Sequence, residues 1–390
     1  MGRSRTWIRK ILVALAAFVA IAVAAEILLR ILSPEHGNEE SPAMARIKQQ
    51  MDAHHTRYVP DPDLGALLEP SRTTMVETPD FIYSLQTDHA GFPNLEPWPT
   101  QIDVAVLGNS LITGSGVGNE GQFTTLLGHE LGGRSVLNFG IHGGGTGHQL
   151  RAFRKFAAPL KPKLVVSTLW LVWEIDNSLK FEDWLADNTR PDFTNYRLTY
   201  GKSSPTVTLK NLFWHLAGSS RLLRAAASWL RSYRGVREPD ESIVLASGDV
   251  MLLSNRNAAR LMQGWERPSP RNVRDVFYTP LESLKQEVEA KGGTFLVVLI
   301  PSKEELYAAK DFPNLLMVVN EARTELAARG IATLDLYPEL EQQGTPPPFF
   351  SVDMHLNASG HRLVAHAIAR WADERKIFPR NEDGLLDAVR

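Results

Sequence analysis

The run DVAVLGNSLITGSGV, residues 103–117, decides how the chain is read. DVAVLG is a short apolar stretch that ends in glycine, the pattern of a strand buried on both faces of a parallel sheet. Ser110 stands just past its carboxyl end, the edge at which open α/β sheets hold their ligands. Glycines on both sides of the serine permit a tight turn and close approach of a substrate. A serine placed so has backbone N–H groups beside it that can stabilise an oxyanion. The plainer reading is that Ser110 only caps the helix that follows.

The same rhythm continues downstream. Helical spacing covers residues 121–131, SVLNFG (135–140) reads as a second strand, and a helix is expected over 146–156. KLVVSTLWLVW (163–173) predicts a third strand, GTFLVVLIP (293–301) a fourth and GIATLDLYP (330–338) a fifth. An amphipathic helix over 357–375 closes the pattern. Alternating strand and helix signals predict an α/β fold, a three-layer α/β/α arrangement around a five-stranded parallel sheet. Residues 58–375 form this domain, with a proline- and aspartate-rich lead-in over 58–100 that holds a short strand or hairpin near 81–85. Residues 180–272 break the rhythm. They are rich in Trp, Arg and Leu and predict a mostly helical insertion. Such an insertion suits capping the site, recruiting an envelope-assembly partner or lying on a membrane.

Residues 11–32 are apolar over about the length that crosses a hydrocarbon core, and Arg3, Arg5, Arg9 and Lys10 precede them. The expectation is an N-terminal transmembrane helix in the inner membrane, a stalk over 33–57, an exported (periplasmic) domain, and a tail over 376–390. A signal peptide cut near residues 22–24 is the competing reading. Apolar residues resume after Glu26, which favours the anchor.

Composition removes several classes. The chain of 390 residues carries a net charge of −2, so no basic field invites nucleic acid. It has no cysteine, which excludes disulfides, a thiol nucleophile and thiolate-ligated metals. Gly143, Gly144 and Gly145 are not followed by Gly-Lys-Ser/Thr, so they are no phosphate loop. His142 and His148 flank them without metal-ligand spacing. No metal or organic cofactor is expected.

SVDMHLNASGHRLVA (351–365) places Asp353 and His355 two residues apart before a helix. A serine nucleophile needs a base, and the base needs a carboxylate to fix its tautomer. Read without Ser110, the same residues are a surface turn with Asn357 as the helix cap.

Taken together, these blocks resemble the SGNH (GDSL-like) hydrolase superfamily. Gly108-Asn109-Ser110 is similar to its Gly-Asp-Ser block, VLNFGIHGGGTGHQ to its second block, and His355, Asn357, Gly360 and His361 to its closing pattern. The lead-ins DPDLGALLEP and DHAGF and the strand end IPSKEELY resemble a membrane-bound branch. The Asp-x-His spacing resembles the branch that acetylates exported polysaccharides such as alginate. The resemblance implies a flavodoxin-like sheet with a Ser110–His355–Asp353 triad. It implies an oxyanion hole from the N–H groups of Ser110 and Gly143, with Asn177 in reserve, and with Asn109 and His142 on the substrate side. Besides that Asp-x-His spacing, which replaces the commoner Asp-x-x-His, two blocks depart from the pattern. Asn109 replaces the usual Asp, and Val172 and Trp173 stand where the third block carries its oxyanion amide. The implied activity is serine-dependent ester hydrolysis or O-acyl transfer on an acylated glycan or small ester. A non-catalytic glycan-binding or assembly protein on the same scaffold is the alternative. His361 is expected to be a structural partner of a helix start, and Glu174 has no assigned role.

Overall fold

The computed structural model describes residues 58–378, apart from 79, 200–241, 246, 268 and 343–345, together with residue 17. The chain divides into two compact units, Met1–Gln49 with Thr199–Arg237, and Gln50–Leu198 with Glu238–Arg390. Everything below concerns the second unit. The expected anchor over 11–32 (but for Ala17, which is helical), the stalk, the centre of the insertion and most of the tail lie outside the described residues. No helix among the described residues is long and apolar enough to cross a membrane.

Five strands form one parallel sheet: β1 (Val104–Gly108), β2 (Val136–Gly140), β3 (Leu164–Leu169), β4 (Thr294–Leu299) and β5 (Thr333–Asp335). Their order is β5-β4-β3-β1-β2, and every pairing is parallel. β1 and β3 are buried along their whole length, so their sequences are apolar without alternation. The connection leaving β1 turns one way and the later ones turn the other. Right-handed crossovers then put the helices on both faces and open a crevice at the carboxyl ends of β1 and β3.

α1 (Phe123–Glu130) packs with the C-terminal helix α8 (Ala358–Glu374). A second group joins α2 (Thr146–Ala152), α3 (Leu171–Ala186) and α5 (Val273–Ala290), with α4 (Asn255–Gln263) against α3. Between β4 and β5 lie α6 (Lys303–Ala308) and α7 (Met317–Ala328).

Two sequence expectations change. The third strand stops at Leu169 and α3 begins at Leu171, so WLVW starts a helix. An unbroken apolar run does not distinguish a buried strand from a buried helix start. The expected insertion at 180–272 also divides. Residues 180–198 and 238–272 belong to the sheet unit, and only Thr199–Arg237 join the other unit. The lead-in forms two antiparallel hairpins, Tyr58–Asp61 with Gly65–Leu68 and Thr73–Glu77 with Ile82–Gln86.

Candidate active site

β1 delivers Ser110 to the sheet edge. Gly108 is its last residue, and a Cβ there would run into the Thr168 hydroxyl of β3. Asn109 is extended and caps the single 3-10 turn Ser110–Ile112, its Oδ1 accepting from Leu111 N–H at 2.9 Å. Its Nδ2 donates to Glu174 Oε2 at 2.5 Å. Glu174 Oε1 accepts from Gln149 Nε2 at 2.8 Å, and Gln149 Oε1 accepts the Ser167 hydroxyl proton at 2.5 Å. Asn109 and Glu174 are both buried. Asn109 is thus placed as a support of the Ser110 turn. Both its acceptor and a donor proton are committed beneath the turn, holding the serine up. Glu174, unassigned from sequence, is its anchor. Burial pushes the Glu174 carboxyl up to about 8, against the pull of Gln149 and Asn109.

His355 Nε2 lies 3.2 Å from Ser110 Oγ, and His355 Nδ1 lies 2.6 Å from Asp353 Oδ1. A carboxylate only accepts, so Nδ1 carries the proton and Nε2 presents its lone pair to the hydroxyl. The His355 backbone N–H donates to the same carboxylate oxygen at 2.8 Å, which locks the two-residue spacing into one turn. The His355 side chain is 17% exposed and that of Asp353 is 30% exposed, so the group of three is sheltered but open to a ligand. Burial opposes ionisation of Asp353. The hydrogen bond and charge of His355, the His355 N–H and the Lys303 ammonium outweigh it and hold the carboxyl below its usual range.

Asn357 caps α8, accepting from Ser359 and Gly360 N–H, and its amide donates to the carbonyls of Pro347 (2.7 Å) and Phe349 (2.9 Å). His361 is fully buried, and its Nδ1 accepts the Phe123 N–H that opens α1 at 3.1 Å. It ties the two helices together.

The glycine loop after β2 has a different arrangement from the expected one. His142 Nδ1 lies 2.7 Å from the Tyr58 hydroxyl, and Nε2 lies 2.7 Å from Thr113 Oγ1. Thr113 Oγ1 donates to the Ser110 carbonyl at 2.9 Å. Thr113 has only one proton, so it accepts from His142 Nε2–H, and His142 Nδ1 accepts from Tyr58. Burial first, then the nearby His355 and Arg197, lower the His142 pKa to about 3, and the ring stays neutral. His142 is thus a strut under the Ser110 turn, and both of its nitrogens are taken. Gly143 has φ +70, and a Cβ there would strike the Arg197 guanidinium, which donates to the His142 carbonyl at 2.5 Å. Among the described residues nothing accepts from the backbone N–H of Ser110 or of Gly143. Asn177 sits on α3 and gives one amide proton to the Gly144 carbonyl at 3.3 Å, so it tethers the glycine loop. At the end of β3 stand Trp170, whose ring centre lies 5.9 Å from that of His355, and buried Val172. No side-chain amide follows the strand directly.

Tyr58, Thr113, Arg197, Asp80 and Lys303 also shape this region; Thr113 and Lys303 lie within the runs quoted above, but no motif assigned any of the five a role. A lysine directly after a buried strand end (IPSK) is the one readable signal, because so apolar a context demands a partner.

Over residues 278–383 the chain matches the SGNH hydrolase-like domain of acetyltransferase AlgX. No curated protein matches the chain in sequence. Among solved structures it is similar to a lipase/acylhydrolase from Enterococcus faecalis, at 13% identity, 74% of this chain, 100% of that chain and a TM-score of 0.37. A GDSL-like lipase from Bacteroides thetaiotaomicron gives 11%, 72%, 93% and 0.36. The acetyl xylan esterase AlAXEase gives 13%, 70%, 99% and 0.36.

Proposed function

We propose that this chain is a member of the SGNH hydrolase superfamily, on its acetyltransferase-like branch, and that it transfers or hydrolyses acyl groups through Ser110, with His355 as base and Asp353 as its orienting carboxylate. The observation that carries this reading is the continuous chain from Asp353 Oδ1 to His355 Nδ1 at 2.6 Å and from His355 Nε2 to Ser110 Oγ at 3.2 Å. His355 Nε2 takes the hydroxyl proton as Oγ attacks the ester carbonyl carbon. The carbonyl oxygen becomes an oxyanion, received by the unpaired N–H groups of Ser110 and Gly143. His355 then returns the proton to the departing alkoxide, which leaves an acyl-serine. Water or a sugar hydroxyl loses its proton to His355 and takes the acyl group, restoring Ser110.

The substrate we infer is an O-acylated, most simply O-acetylated, glycan outside the cytoplasm. The AlgX-type domain supports an ester-acting enzyme of glycans, and the apolar residues 11–32 support placement at the inner membrane with the domain exported. Ser110→Ala is the direct test. Turnover of 4-nitrophenyl acetate should disappear, since loss of a triad serine costs on the order of 10⁶-fold in kcat. Undiminished turnover would remove Ser110 from the chemistry. The absence of an amide right after β3 favours a second reading, a glycan-binding protein without turnover. A fluorophosphonate probe separates the two, because only an activated Ser110 becomes covalently labelled.

A further inference from the structure

Lys303 opens α6 directly after the turn that leaves β4, and only 2% of its surface is exposed. A lysine so buried is costly unless its three protons all find acceptors. Its Nζ donates to the carbonyls of Phe350 (2.8 Å), Ser351 (2.8 Å) and Asp353 (3.1 Å). On the same stretch the Asp80 carboxylate accepts the N–H groups of Val352 (2.9 Å) and Asp353 (2.5 Å). The carbonyls of 350, 351 and 353 thus go to a cation, and the N–H groups of 352 and 353 to an anion. Asp353 is gripped on both sides of its Cα, and its carboxylate is left pointing at His355.

We propose that Lys303 is a positioning residue for the ester chemistry, its ammonium fixing the turn that carries Asp353 and His355. The inference rests on the reading of Ser110, His355 and Asp353 given above. Without the charge, three carbonyls face one another with no cation between them and the turn relaxes. A misplacement of about 1 Å at such a site costs on the order of 10²-fold in rate.

The ammonium also sets a pH limit. Burial is the leading influence on Lys303 and lowers its pKa to about 8, against the opposing charges of Glu304, Asp80 and Asp353 that face it. Above that pH the neutral amine has two protons for three carbonyls. The unfolded chain keeps its lysine proton to about 10.4. Between these values the unfolded state binds more protons, so this group makes the fold more stable as pH rises. Activity falls while stability does not, a divergence that a merely structural lysine does not produce.

The experiment compares wild type, Ser110→Ala, Lys303→Met and Lys303→Arg with 4-nitrophenyl acetate from pH 6 to 10, with thermal melts in the same buffers. We expect the wild-type kcat to fall above about pH 8 with the melting temperature held. Lys303→Met should lose about 10²-fold in kcat with KM little changed. Lys303→Arg should regain at least about tenfold over Lys303→Met and lack the alkaline fall, since guanidinium does not titrate there. A folded Lys303→Met with wild-type kcat, or an alkaline fall shared by Lys303→Arg, overturns the inference. So does a wild-type melting temperature that drops together with kcat, which needs no variant to fold. If the wild type shows no turnover dependent on Ser110, the triad reading itself fails, and this inference fails with it.

Discussion

Single residues here work in opposed pairs of donors and acceptors. Asn109, Glu174 and Gln149 form a buried relay under the nucleophile turn, and the carboxyl within it is pushed up to about 8 by burial. The sign of its effect follows. Between 4.5 and about 8 the unfolded chain has lost a proton that the folded Glu174 keeps, so stability drops as pH rises through that window. Glu174→Gln removes the titration. Melting temperatures taken from pH 5 to 8 should fall less steeply in this variant than in the wild type, and equal slopes would discard the assignment. At this scale the sequence put Ser110, Asp353 and His355 forward together, and the three side chains do meet, because an aspartate two residues before a histidine leaves a short local signature. For Asn109 and His142 it did not foresee the hydrogen bonds each makes beneath the Ser110 turn. A polar residue beside a nucleophile looks the same in sequence whether its side chain faces substrate or props the turn from beneath. Tyr58 was unreadable, since its partner lies 84 residues away.

Among the elements, the segment before α8 bears the greatest structural demand. Asn357 serves two ends at once, accepting from Ser359 and Gly360 N–H while donating to the carbonyls of Pro347 and Phe349. Asn357→Ala should lose about 1–2 kcal/mol through the cap alone, read by urea denaturation, with a lower kcat because His355 is two residues away. Asn357→Asp keeps the acceptor and loses the donors, so it should fall between alanine and wild type. The five strands were legible because parallel strands covered on both faces are continuous apolar runs. Their order was legible only through the family resemblance, since apolar runs say nothing about which strand is the neighbour of which. The end of the third strand was not legible. LWLVW satisfies the burial rule of either a strand or a helix start, and packing of α3 against α2 and α5 decided between them.

For the whole molecule, the described unit and the N-terminal apolar stretch carry separate claims. The fold of residues 58–378 accounts for the sheet and the site. Attachment to a membrane rests on residues 11–32 alone. If that stretch is an uncleaved anchor, the full chain should stay in the membrane pellet after alkaline carbonate extraction, and its N-terminus should begin at or near Met1. Release into the supernatant, or a mature N-terminus near residue 25, would support the cleaved leader.

The proton-accepting contact joins side chains 245 positions apart. A ribosome working at 5–20 residues per second needs about 12–50 s to synthesise the stretch between them. For that interval the serine has been made and its imidazole partner does not yet exist, so the proposed chemistry has no base. If Ser110 carries acyl transfer as proposed, it becomes competent only once synthesis is nearly complete, and the unfinished chain leaves surrounding esters untouched.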